Sequence, residues 1–237
     1  MAPASRPGPI PLGMARARRP IPQQIRVVAK IAGSTSVDPN LPVLAQPVLV
    51  VEFHRFWRAL RRHWERTIWL PDGTVAGLVQ RTALHVFRIV DAAGEVLAWM
   101  ESPRDLREAQ GARSLRDGSG RQVGVIEEFG LGYRELHLTD RTPENEGDSL
   151  AAVVRARRAE TPPTAIMRGD HDGARVVAGD RVVAEISRHH VDPLNEGPSA
   201  HVLLVTLAPT EGPFRTLLFA NAVTAFMPLQ LRPGAAV

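Results

Sequence analysis

The sequence predicts an all-β protein, about twelve strands closed into a barrel around one apolar helix near the C-terminus. Three observations carry this reading. First, alternating strands recur with glycine-bearing turns between them, as in Trp69-Leu70-Pro71-Asp72-Gly73-Thr74-Val75, Val90-Asp91-Ala92-Ala93-Gly94-Glu95-Val96 and Asp117-Gly118-Ser119-Gly120-Arg121-Gln122-Val123, the signature of hairpins in series. Second, a run of hairpins has an apolar face to cover, and residues 213–227 carry a single charge, Arg215. Third, 237 residues suit one β domain, since barrels and sandwiches of 200–250 residues are common. The chain has no cysteine, which excludes disulfides, thiolate metal sites and thiol chemistry.

The net charge of +4 divides unevenly along the chain. Residues 1–40 hold Arg6, Arg16, Arg18, Arg19, Arg26 and Lys30 against Asp38, a net of +5. The remainder is nearly neutral at −1. The same forty residues hold seven of the twenty prolines. Such a segment cannot bury enough apolar surface to offset its ordering, so 1–40 is expected to be a disordered or polyproline-like basic tail. It reads either as a solvated extension or as an arm toward an acidic surface. Proline spacing argues against an amphipathic targeting helix, and no secretory apolar core precedes residue 41. The folded domain is placed at 41–232.

Within it, period-2 alternation and turn residues mark strands at 47–51, 66–70, 74–80, 84–90, 95–100, 112–116, 121–127, 132–139, 149–155, 164–168, 174–178, 181–188 and 201–207,. The first two read as one interrupted edge element, which leaves about twelve. Residues 139–149, rich in Asp and Glu, form a long acidic loop, and 191–199, with Pro193 and Pro198, form another.

Between the first two strands, 52–66 places Phe53, Phe56, Trp57, Leu60 and Trp64 on one helical stripe, with Arg55, Arg58, Arg61, Arg62, His54 and His63 opposite. This is an amphipathic helix pattern. It suits a helix packed on the barrel, and it equally suits an interfacial helix with indoles at headgroup level and arginines on anionic lipid.

The last helix is read at 213–227. Pro213 sits near its first position, where the missing N–H costs nothing, and Pro228 ends it,. Its uncharged stretch, 216–227, is far short of the ~20 residues that span a bilayer. An apolar surface on every face marks burial, and Ala220, Ala222 and Ala225 would let it fit a narrow tube,.

The opening strand Val48-Leu49-Val50-Val51-Glu52, the Asp-Gly hairpins in series and the final strand followed by an apolar helix together resemble the Tubby C-terminal-like superfamily. Within it the chain is most similar to the phospholipid scramblase and LURP-one-related branch, bacterial members included. The resemblance covers roughly 42–230. It implies a twelve-stranded barrel around a central hydrophobic helix, and a lipid- or membrane-associated role. It does not extend to calcium-driven scrambling. The segment before the last helix, 207–213, holds one carboxylate, Glu211, whereas calcium takes six to eight oxygens. The cysteines that carry palmitate in scramblases are absent as well.

Other motifs do not assemble into chemistry. Gly169-Asp170-His171-Asp172-Gly173 lacks the later ligands of a calcium loop and reads as a hairpin turn,. His189-His190 and Glu127-Glu128 are neighbours on strands, so each pair splits between opposite faces,. Gly130-Leu131-Gly132 is not followed by a helix, and no serine sits in a nucleophile elbow,. The expected function is therefore a non-catalytic module associated with lipid or membrane, with no cofactor and no metal. Lipid transport and a protein-interaction role are the alternatives. The partner expected is an anionic phospholipid surface or a protein, not nucleic acid, and the location is the cytoplasm, at the inner membrane face. The residues expected to touch lipid are Arg16, Arg18, Arg19, Arg55, Arg58, Arg61 and Arg62, with Trp57 and Trp64.

Overall fold

The computed structural model describes residues 22–31, 33, 38, 41–53, 65–83, 86–101, 111–130, 132–139, 162–170, 172–191 and 200–227. They form twelve strands: β1 Val48–Phe53, β2 Glu65–Trp69, β3 Val75–Ala83, β4 Val86–Asp91, β5 Val96–Glu101, β6 Ala112–Asp117, β7 Gln122–Gly130, β8 Tyr133–Leu138, β9 Ala165–Gly169, β10 Gly173–Ala178, β11 Arg181–Val191 and β12 Ala200–Leu207. Each pairs antiparallel with its sequence neighbours, and β1 pairs with β12 to close the ring. Closure leaves no sheet edge to pair with another chain.

The short turns do what their residues dictate. Asp117 Oδ1 accepts hydrogen bonds from the backbone N–H of Ser119 and Arg121, and Gly120 takes φ +87°, open to glycine without strain,. Asp91 Oδ1 accepts from Ala93 and Glu95 in the same way.

Helix α2, Gly212–Val223, fills the barrel. Its residues from Arg215 to Val223 are all buried, and Leu217, Leu218, Phe219, Ala220 and Ala222 are wholly inaccessible. The core they join draws side chains from all twelve strands. At Gly124 of β7 a Cβ would run into the His137 carbonyl of β8 and press on Leu217 at 3.3 Å, so glycine here lets both the neighbouring strand and the helix come close. Arg215, in the first turn, donates to the carbonyls of Leu44, Gln46 and Ala208. It ties the short 3-10 turn Val43–Ala45 and the exit of β12 to the helix start. Among the described residues no helix is long and apolar enough to cross a membrane.

The strand count of twelve arises differently from the sequence expectation. β1 and β2 are two separate strands paired with each other, not one interrupted element. β8 pairs directly with β9, so the ring closes without 149–155, which lies outside the described residues.

The expectation of a wholly disordered 1–40 is corrected for 22–31. Helix α1, Pro22–Ile31, docks on the outside of the barrel. Ile25, Val28 and Ala29 are buried. Ile25 and Val28 cluster with Val50, Trp69, Val202 and Leu204 on the outer face of β1, β2 and β12. A helix of ten residues is unstable alone in water,, so α1 owes its order to this groove. Ile25→Asp should therefore undock α1 and leave the barrel folded. Hydrogen exchange should accelerate across 22–31 while the strand amides keep their protection. Loss of protection throughout would make α1 integral to the barrel.

The predicted helix 52–66 is also corrected at its ends. Glu52 and Phe53 continue β1, opposite Val202 and His201 of β12, and Glu65 and Arg66 open β2. The centre, 54–64, lies outside the described residues.

Candidate functional site: the arginine-rich end of the barrel

The alternation that sends Ile68, Val79, Leu115, Leu136 and Ile186 into the core sends inward the residue two positions away on each strand,. Those residues are Arg66, Arg81, Arg113, Arg134 and Arg188. In the meander they fall at one end of the barrel, because β2, β6 and β8 begin there and β3 and β11 finish there. It is the end at which α2 terminates.

That coincidence has a physical basis. The last carbonyls of a helix lack intrahelical partners and carry partial negative charge. Arg66 Nη1 donates to Val223 O at 3.0 Å and to Ala225 O at 3.1 Å. Arg134 Nη2 donates to Thr224 O at 3.0 Å and to Met227 O at 2.8 Å. Both arginines are almost wholly inaccessible, at 1% and 0% exposure, so these bonds offset a large desolvation cost. Glu128 Oε2 lies 3.3 Å from Arg134 Nη2 and is the counter-charge inside the wall.

Four of the guanidiniums feel one another. Burial, then Arg134, push Arg66 down to about 9, with Glu52 acting in the opposite direction. Burial brings Arg113 down to about 10, raised by Glu128 and lowered by Arg81 and Arg134. Burial also lowers Arg81 and Arg134. All four stay charged at neutral pH. Arg81 and Arg113 share the Phe87 ring, at 5.8 and 5.6 Å from its centroid,.

Arg188 stands nearer the rim, half-buried. Its guanidinium lies 4.4 Å from the Phe53 centroid and 5.0 Å from that of Phe226. The His190 and His201 rings, with centroids 4.6 Å apart, complete the rim, His201 meeting Phe53 edge-on. The opposite end is the one at which α2 begins. Its hairpin turns carry Asp72, Asp91, Asp117 and Asp180. The two ends differ in how charge is placed rather than in its sign: the end where α2 stops also carries Glu52, Glu65, Glu101, Glu127, Glu128, Asp170 and Asp172, and the turns at the other carry Arg116, Arg121 and Arg181 beside their aspartates.

The other motifs fall as the alternation requires. The 170–172 segment is the β9–β10 turn, with Asp170 Oδ1 accepting from the N–H of Asp172 and Gly173. His189 bonds Ser187 along the same strand, away from His190. No group of three or more metal-binding side chains occurs among the described residues.

The residues expected to touch lipid, Arg16, Arg18, Arg19, Arg55, Arg58, Arg61, Arg62, Trp57 and Trp64, all lie outside the described residues. The structure brings together instead five arginines that sequence reasoning passed over. The signal that could have found them is phase. Arg66 precedes Ile68, and Arg134 precedes Leu136, by one strand period. A cation in the core phase at a strand end needs a buried acceptor.

Compared with family models, with curated proteins and with solved structures, the chain returns no match.

Proposed function

We propose that the chain is a non-catalytic binding module that meets an anionic phospholipid surface with the arginine-rich end of its barrel. The observation that carries the reading is the gathering of five inward arginines at one end of the barrel. The strand β1 ends and β2 begins at the same end, and the chain between them carries Arg55, Arg58, Arg61 and Arg62. Binding is favoured over lipid transport because α2 fills the barrel and offers no lumen to an acyl chain. The barrel with an enclosed C-terminal helix also accords with a place beside the scramblase and LURP-one-related proteins. On this reading the protein works in the cytoplasm, peripheral to the inner membrane face.

Each arginine near an anionic surface contributes about 1 kcal/mol, and the attraction fades within a Debye length of roughly 8–10 Å. Sedimentation with phosphatidylglycerol vesicles should therefore be strong at low salt and fall steeply toward physiological salt. Replacing Arg55, Arg58, Arg61 and Arg62 together by Gln should weaken it further. Equal binding to neutral vesicles would mean hydrophobic insertion instead. Absence of binding at every salt concentration would leave a protein as the partner.

A further inference from the structure

The rim arginine is built differently from its neighbours. Arg66 and Arg134 spend their donors on the end of α2. Among the described residues Arg188 donates no side-chain hydrogen bond, pairs with no carboxylate, and leaves its buried Nε without a partner. What the described residues set against it is two rings. Stacking between Phe53 and Phe226 fixes the guanidinium plane without consuming its outward N–H groups.

One of those rings is placed at a cost. Phe226 has φ +57°, the only described non-glycine residue in the left-handed region, where an L side chain is strained. The carbonyls on either side, of Ala225 and Met227, are pinned by Arg66 and Arg134 respectively. The buried arginines therefore impose the turn that presses Phe226 onto Arg188. Arg66 also lies 6.0 Å from the Phe53 centroid, so its charge adds to the field at the same spot.

We propose that Arg188 is the receptor for one phosphate group at the arginine-rich end of the barrel, preorganised by Phe53 and Phe226. A guanidinium fork matches the paired oxygens of a phosphate. The added charge of Arg66 favours a multiply charged oxyanion over a carboxylate. The phosphate belongs either to a lipid headgroup or to a soluble compound. The first case rests on the membrane reading above and the second does not.

The test uses the full chain, titrated calorimetrically with inorganic phosphate at low ionic strength, against matched chloride. Wild type should bind, and Arg188→Gln should bind roughly tenfold more weakly or worse, the usual cost of losing charge-assisted hydrogen bonds. Arg188→Lys, which keeps the charge without the fork, should fall between them, and Phe226→Leu should weaken binding while Arg188 remains. Melting curves check that each variant is folded. The same variants are then sedimented with phosphatidic acid vesicles. Vesicle binding lost with phosphate binding identifies the headgroup as the source. Vesicle binding retained while phosphate binding is lost identifies a soluble phosphate. Undetectable phosphate binding by wild type, or equal binding by folded Arg188→Gln, overturns the proposal whatever the vesicles do.

Discussion

Ala222→Asp should leave the chain without a cooperative fold. Ala222 is wholly inaccessible on a helix whose faces are all enclosed by the barrel. A carboxylate there has no described cation beside it, and the nearest arginines already hold the helix end. An unpaired buried charge, or the protonated carboxyl that takes its place, costs several kcal/mol, a large share of the roughly 5–15 kcal/mol by which a domain of this kind is stable, and the added volume has nowhere to go. The graded version is Phe219→Ala, which removes a fully buried ring from the centre of the core and should cost about 3–5 kcal/mol in urea unfolding. A soluble, cooperatively folding Ala222→Asp protein would show that α2 can leave the barrel.

Arg134→Met should be nearly as damaging, for a different reason. The side chain is wholly inaccessible and holds the carbonyls of Thr224 and Met227 together with Glu128. Methionine fills much of the space but strands two carbonyls and a carboxylate in a dry interior. Breaking one side of a buried pair costs about 3–5 kcal/mol. Adding Glu128→Gln should restore part of the loss, because the neutral amide needs no counter-charge. Denaturant midpoints of the two variants measure this. A loss under about 1 kcal/mol for the single variant would mean that the end of α2 is held by other groups.

The barrel was readable because its hairpins are encoded locally. Asp72-Gly73 and Asp117-Gly118 stand between alternating runs, and 181–186 does open β11, although a bulge at Val183 breaks the read alternation and leaves Val182 exposed. The final helix was readable for the same reason, with Pro213 before it and Pro228 after it. Its observed end, Val223, comes earlier than read because Thr224–Met227 turn back to meet the arginines. What escaped depends on partners far away in the chain. Ile25 and Val28 are too few to announce a helix among prolines, and their groove is made from Val50, Trp69 and Val202. Phe53 fitted a helical stripe in sequence, yet its pairing with His201 draws it into β1. Arg66 and Arg134 were passed over because their acceptors, at the end of α2, lie 87 to 159 residues further along.

The account turns on α2 as the element around which the barrel closes and whose end organises the arginine-rich site. The most direct test is a chain stopped after Gly212, followed by calorimetry and near-ultraviolet circular dichroism. The truncated chain should show no cooperative unfolding transition and no fixed aromatic environment, because a ring of twelve strands cannot bury its inner face without the helix. A cooperative transition with native-like near-ultraviolet signal from that truncated chain would contradict it.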